Sequence, residues 1–339
     1  MSASIRHHVI SMIETMNPGN AGAMSITVPE TTEATALVEL GELLRAAGYR
    51  FTTVTPATHE RINHRPGNER ATDLRGVFGW NRPFGRGLLP DRFVELMDVA
   101  GVLKRDGDTW RSLVRYSTYD GELFVHSPFP TTEPDAVFFG PDTHRMADAA
   151  LAVVAARQDQ VRRAVDIGCG TAAGAIAVAK RLRGTEVLAV DINAAALRFA
   201  RSNILLAGTP NVQPHHSDLL DGVTGTFDLI ISNPPFMIDP AGRAYRDGGP
   251  NGHELSLRIL DAAAERLAGG GTLVLFAGTG IADGRDPFHE AARTRLAGTG
   301  LEWTYREVDP DAYGEELDGP AYAHAERIAL VVLTATRPS

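Results

Sequence analysis

The stretch Ala164-Val-Asp166-Ile-Gly168-Cys-Gly170-Thr-Ala-Ala-Gly174 decides the fold. An apolar run, Ala164–Ile167, enters a glycine-rich turn, and the alanine- and arginine-rich Ala172–Leu182 that follows has the composition of a helix. Such a strand-to-helix turn lets backbone N–H groups and a helix N-terminus approach a ligand closely. Asp191 closes the next apolar run, Glu186–Val190, where a nucleotide-binding βαβ unit places the carboxylate that takes a ribose diol. Working outward, Phe227–Ile231 and Thr272–Ala277 are two more near-continuous apolar runs. The helical stretches Ala194–Ala207 and Glu254–Leu267 lie among them. Continuous apolar strands with helical crossovers predict a parallel sheet covered on both faces. Near the C-terminus LEWTYREV and ERIALVVLTAT supply two more strands, with an antiparallel place open to the last.

The chain ahead of Val161 has a different texture. Residues 1–30 are weakly patterned and read as an N-terminal arm. Thr31 and Thr32 precede a helix with Ala36, Leu37, Leu40, Leu43, Leu44 and Ala47 on its apolar side, closed by Gly48. A second helix follows Pro90, with Phe93, Leu96, Met97 and Ala100 on one face. The turn signals Asp106-Gly107 and Asp120-Gly121 bracket TWRSLVRYSTY and ELFVHS, which read as strands of a small antiparallel sheet. Helices followed by a hairpin suggest a winged-helix-like accessory domain over residues 31–134, with Ser127–Pro134 as the linker out of it and residues 135–339 as the second domain.

Composition narrows the field. With 339 residues, 43% of them apolar and 22% charged, the chain is globular and long enough for two domains. Its single cysteine, Cys169, excludes a disulfide framework and a Cys-rich zinc site. A net charge of −9 gives no global attraction to phosphate backbones, although Arg61–Arg115 carries 11 basic residues against 7 acidic ones. Phe78, Trp80 and Phe84 interleave with those arginines, as on a nucleic-acid surface or in the small domain's own core with arginines at its rim, and core packing is the preferred reading. No apolar run reaches the roughly 18–20 residues of a membrane helix, and the first residues lack a signal peptide's apolar stretch. A cytoplasmic protein with no membrane partner is the expectation.

Two ligands fit the glycine loop taken alone. Gly168, Gly170 and Ala173 satisfy a dinucleotide fingerprint; S-adenosylmethionine fits as well, with Asp166 available to its cationic amino-acid end. The run Phe227-Asp-Leu-Ile-Ile-Ser-Asn233-Pro234-Pro235-Phe236 separates them. Two prolines forbid helix and fix the backbone at the strand exit. There an Asn amide and a rigid carbonyl can accept both protons of a planar NH2 group, leaving the nitrogen lone pair for a methyl sulfonium, while Phe236 stacks on the planar group. Hydride transfer needs no such corner.

On these residues the chain resembles the class I S-adenosylmethionine-dependent methyltransferases with an Asn-Pro-Pro-aromatic motif, over roughly Asp135–Pro338. It is most similar in pattern to the release-factor glutamine methyltransferases and the RNA base N-methyltransferases. The resemblance implies an α/β fold with a doubly wound, Rossmann-like sheet of seven strands. It implies S-adenosylmethionine as cofactor, left as S-adenosylhomocysteine, and no metal. It maps Asp166, Gly168 and Gly170 to the first cofactor loop, Asp191 and Ile192 to ribose and adenine, and Asp218 and Leu219 to the adenine edge. Asn233, Pro234, Pro235 and Phe236 match the catalytic motif, and Asn233 belongs to the cofactor set as well. Phe138-Phe139-Gly-Pro-Asp-Thr143 matches the segment that closes over the methionine end, so Phe139 and Thr143 join the cofactor set and either phenylalanine is a candidate to face the sulfonium. The family's third glycine is Ala172 here, which puts Gly174 in doubt as a contact.

The expected reaction is N-methylation of a planar amide or amine, in a protein glutamine or an RNA base. The alternatives are biosynthetic chemistry on a small molecule with the same cofactor, or a nucleic-acid-binding module with a vestigial fold. His215 and His216 read as solvated loop residues and Cys169 as a packing residue. Arg243–Pro250 reads as a substrate-facing loop or plain surface; Tyr313, Glu315, Glu316 and Tyr322 read as lining the same mouth or as a solvated face, the latter preferred. The oligomeric state stays open.

Overall fold

Helix begins where the amphipathic pattern begins. In the computed structural model, which describes residues 32–339, α1 (Thr32–Ala46) buries Ala36, Leu37, Leu40 and Leu44. The arm read over residues 1–30 lies outside the described residues. Two short helices without a periodic signal follow: α2 (Pro56–Asn63), capped by the Thr55 hydroxyl, and α3 (Leu74–Phe78), capped by the Asp73 carboxylate. After β1 (Phe84–Gly85) comes α4 (Asp91–Val99), with Phe93, Leu96 and Met97 inward. The hairpin of β2 (Leu103–Asp106) and β3 (Thr109–Ser112) turns at Asp106-Gly107, and β1 pairs with β3 to complete an antiparallel sheet.

TWRSLVRYSTY is not one strand. The Ser112 hydroxyl donates to the Val114 carbonyl at 2.6 Å and accepts from its N–H, which breaks the ladder at Leu113. Beyond the break β4 (Arg115–Tyr119) pairs with β5 (Glu122–His126) in a separate two-stranded sheet. Phe78 and Phe84 are fully buried, as the core reading of the aromatics requires.

The second half is the α/β sheet. Helix α5 (Pro141–Arg157) leads into β6 (Arg163–Ile167), α6 (Ala173–Arg181), β7 (Glu186–Asp191), α7 (Ala194–Ala207), β8 (Val212–His216) and β9 (Phe227–Ser232). Then come α8 (Glu254–Arg266), β10 (Leu267–Ile281), α9 (Pro287–Leu296), β11 (Glu302–Ala312) and β12 (Arg327–Thr336). The seven strands run in the order β11-β12-β10-β9-β6-β7-β8. Only β12 is antiparallel, to β10 on one side and β11 on the other. This is a mixed Rossmann-like sheet. One correction concerns β8: His215 and His216 sit on an edge strand, paired with Val190 and Asp191, and not in a loop.

Helices α5, α6 and α7 cover one face over a core of Ala164, Ile176, Val187 and Leu229, and α8 and α9 cover the other over Val165, Leu188, Ile230 and Leu260. A third core joins α1, α4 and β4 to Ala196, Phe199 and Leu206 of α7. Asn203 of α7 fastens that contact, accepting from Val125 N and donating to the carbonyls of Val125 and Thr171. Residues 32–339 therefore form one unit. Crossovers leave β6 toward β7 and β9 toward β10, so a crevice opens where β6 and β9 lie side by side, the switch point at which ligands bind in such sheets. Among the described residues no helix is long and apolar enough to cross a membrane.

Candidate active site

The crevice is a cavity of about 510 Å³ at the C-terminal ends of β6, β7 and β9. Thr143, Asp166, Gly168, Gly170, Asp191, Ile192, Asp218, Leu219 and Asn233–Phe236 all line it. Gly168 (φ 68) and Gly170 (φ 53) take left-handed backbone, and a Cβ on Gly168 would meet no atom within 4 Å, so the loop leaves room for a ligand. Ala172 adopts the same left-handed conformation (φ 61) just before α6, which is how the departure from the third glycine is accommodated. Gly174 serves packing: a Cβ there would lie 2.8–2.9 Å from Met146, Asp166 and Ile231.

Asp191 fastens the loop before it meets any ligand. One carboxylate oxygen accepts from Gly170 N at 2.9 Å, the other from Asn193 N at 2.8 Å. Asp166 is fully buried, and one of its oxygens accepts from Ala175 N while the other has no protein partner. Burial pushes its carboxyl up to about 7. The Ser232 hydroxyl donates to Ile167 O at 2.7 Å and locks the ends of β9 and β6 together, so Asn233 leaves the sheet beside the glycine loop. The Asn233 side-chain oxygen is buried with no protein partner. A cationic amino-acid end beside Asp166, a diol beside Asp191 and an NH2 donor beside Asn233 would satisfy these acceptors, so the donor set fits S-adenosylmethionine and an amide or amine acceptor.

The comparisons agree with this geometry. The family model described as methyltransferase small domain matches residues 139–282. The release factor glutamine methyltransferase of Koribacter versatilis is 30% identical over 232 residues, 64% of this chain and 75% of that protein. The chain belongs to the class I S-adenosylmethionine-dependent methyltransferases. Its cofactor is S-adenosylmethionine. The release factor glutamine methyltransferase of Deinococcus radiodurans is 32% identical over 197 residues, 55% of this chain and 66% of that protein. For the one from Rhodopirellula baltica the figures are 38% over 128 residues, 33% and 43%. The chain thus spans two thirds or less of these last two relatives.

One expected residue lies elsewhere in this methyltransferase, and two that line the cavity are already engaged. Phe139 does not line the cavity: it is fully buried and stacks on Phe124 and His126 at ring distances of 5.3 and 5.2 Å. Alternation along the extended chain sends Phe138 into the cavity instead, where it stacks on Tyr245 at 5.8 Å with planes 9° apart. Phe236 lines the cavity, but its ring is 7% exposed, edge-on to Phe276 and Tyr313 and seated where a Cβ of Gly278 would be. Asp218 is exposed and paired with Arg258 at 3.1 Å. Cys169 is buried, and burial pushes its thiol up, in keeping with its reading as a packing residue.

The far side of the cavity was largely hidden in the sequence. Pro56, Ala57 and Glu60 of α2 and Phe129–Thr132 line it, so Ser127–Pro134 is a wall and not merely a linker. Arg243–Arg246 form the facing wall, tied down by Tyr245 O–H to Thr131 O at 3.0 Å and Ala244 N to Pro134 O at 3.0 Å. Both arginines are already engaged, Arg243 by Asp239 at 2.7 Å and Arg246 by Glu316 at 2.6 Å, and Arg243 holds the Asp239 carboxyl down to about 2. Tyr313, Glu315 and Glu316 line the same mouth, while Tyr322 is buried behind it and accepts from Ile238 N. Among the described residues no cluster of His, Cys, Asp and Glu is arranged to hold a metal ion.

Proposed function

We propose that this protein transfers the methyl group of S-adenosylmethionine to the nitrogen of a planar amide, and that the amide is a protein glutamine. The observation that carries the reading is the buried, unpartnered Asn233 oxygen at the end of β9, beside a fastened glycine loop. The cofactor supplies a methyl on a sulfonium, already activated for transfer. The chain's own work is positional: Asn233 and the rigid corner carbonyl accept hydrogen bonds from the two N–H groups, Pro234 and Pro235 hold those acceptors still, and the walls exclude water; as the N–C bond forms the S–C bond breaks, S-adenosylhomocysteine is left, and one N–H proton is lost to solvent as the products leave. Phe138 and Tyr245 present the aromatic surface toward an acceptor, since Phe236 is committed to packing.

The acceptor end supports a peptide amide over a phosphate-bearing base. Among the described residues that line this end, Glu60, Glu315 and Glu316 stand with two arginines that are already ion-paired, Arg243 with Asp239 and Arg246 with Glu316, so it offers a phosphate no unpaired cation. The names of the relatives point the same way. We read residues 31–134 as the winged-helix-like accessory domain and 135–339 as the transferase domain; α2 and the residue 129–132 wall make the accessory part half of the acceptor end. Incubating the protein with methyl-tritiated cofactor and fractionated cell extract tests this. Label recovered as methylglutamine after protein digestion is expected. Label in RNA moves the acceptor to a base, and label in small molecules moves it to biosynthesis.

A further inference from the structure

We propose that Tyr313, through its hydrogen bond to Asp142, latches the chain between β11 and β12 over the methionine end of the cavity and sets how fast the cofactor leaves; this rests on the cofactor assignment above. The Tyr313 hydroxyl donates to Asp142 in the first turn of α5, and both residues line the cavity beside Thr143. Asp142 is 4% exposed, and Arg145 touches it only at 3.4 Å while reaching Asp309 at 2.8 Å. The phenol is therefore the close partner of a buried carboxylate, which is costly to leave unpaired.

Tyr313 holds this position in left-handed backbone (φ 55, ψ 37), which a residue with a Cβ avoids. Strain of this kind persists where the surroundings impose it, and it gathers at ligand clamps. An ordinary surface tie needs neither strain nor burial; the flanking strands have one in Arg327 of β12 and Glu307 of β11, at 3.0 Å. The crossing also grips the acceptor side, through Glu316 to Arg246 and Tyr322 to Ile238 N, and the Tyr313 ring stands 6.0 Å from Phe236. One segment thus spans both ends of the cavity, and its contact with the cofactor end is Tyr313.

Surface plasmon resonance with the full chain immobilised and S-adenosylhomocysteine as analyte reads the latch directly. Tyr313→Phe should speed release about tenfold or more, with little change in the association rate. Asp142→Asn should move release the same way, and the double variant should be no faster than Tyr313→Phe, since both changes act on one bond. Should Tyr313→Phe unfold in a thermal-shift control, Asp142→Asn carries the same test. Tyr305→Phe is the control: Tyr305 makes a similar bond to Asp286 at 2.7 Å but does not line the cavity, so release should stay within twofold. Unchanged release in Tyr313→Phe, or equal acceleration in Tyr305→Phe, overturns the latch. Failure of the unsubstituted chain to bind S-adenosylhomocysteine at all would instead remove the cofactor reading, and the latch with it.

Discussion

At the cofactor end the polar atoms are held by neighbours along two adjacent βα turns. Gly170 N and Asn193 N grip Asp191, Ala175 N grips Asp166, and the Asn193 side chain caps α7 through Ala195 N. At the acceptor end the wall is assembled from distant segments. Tyr245 reaches across 114 positions to Thr131, and Tyr322 across 84 to Ile238. The first kind of site is preorganised by backbone geometry and survives wherever its turns form. The second exists only when the accessory elements, the chain after β9 and the β11–β12 crossing dock together. Cofactor binding should therefore be robust and acceptor recognition fragile, and each prediction below probes that contrast.

The largest effect is expected at the boundary between the two ends. Asn233→Ala should cut turnover by about 10²–10³-fold or more while S-adenosylhomocysteine affinity stays within a few-fold, by activity assay and calorimetry side by side. Equal loss of both would place Asn233 in the cofactor end. Next, Asp191→Ala should weaken the cofactor by about ten- to a hundredfold, since it removes a charged acceptor and also frees Gly170 N and Asn193 N. An unchanged dissociation constant would mean that the loop keeps its shape without the carboxylate.

Gly174→Val tests the packing under the cofactor end. Its side chain would meet Met146, Asp166 and Ile231, and overpacking of this kind costs about 1–3 kcal/mol, to be read as a lowered melting temperature of the unliganded protein. The smallest effect is one of pH. Asp166 titrates near 7 in the folded protein against an unfolded value of 3.8, so the folded state holds the extra proton between those values. Its contribution to stability accordingly falls as pH rises from about 4 to 7. A cationic ligand favours the carboxylate, so cofactor affinity should rise between pH 6 and 8 with release of part of a proton. Calorimetry in buffers of different ionisation enthalpy measures that release, and Asp166→Asn should abolish it.

How much was legible depends on whether the information is local. Ala164–Ile167, Glu186–Val190, Phe227–Ile231 and Thr272–Ala277 all appear as strands, because strands buried on both faces must be apolar throughout. β8, reading VQPHH, escaped notice because an edge strand needs no such run. The break at Leu113 escaped because a serine turning back on its own backbone leaves no pattern in hydrophobicity. Phe139 was chosen over Phe138 on motif position, whereas the side of an extended chain that faces a cavity depends on what packs behind it, here Phe124 and His126.

The sequence by itself determined the sheet, the glycine loop and the Asn233–Phe236 corner. Each is specified within a dozen consecutive residues by backbone preference and burial. Tertiary structure alone decided the far walls of the cavity, where Arg243 and Arg246 are spent on Asp239 and Glu316 and residues 129–132 close one side, and it alone decided that Tyr313 meets Asp142 at the other end. Those pairings join residues far apart in the chain, and no local propensity records which distant partner a side chain will find once the cores have formed.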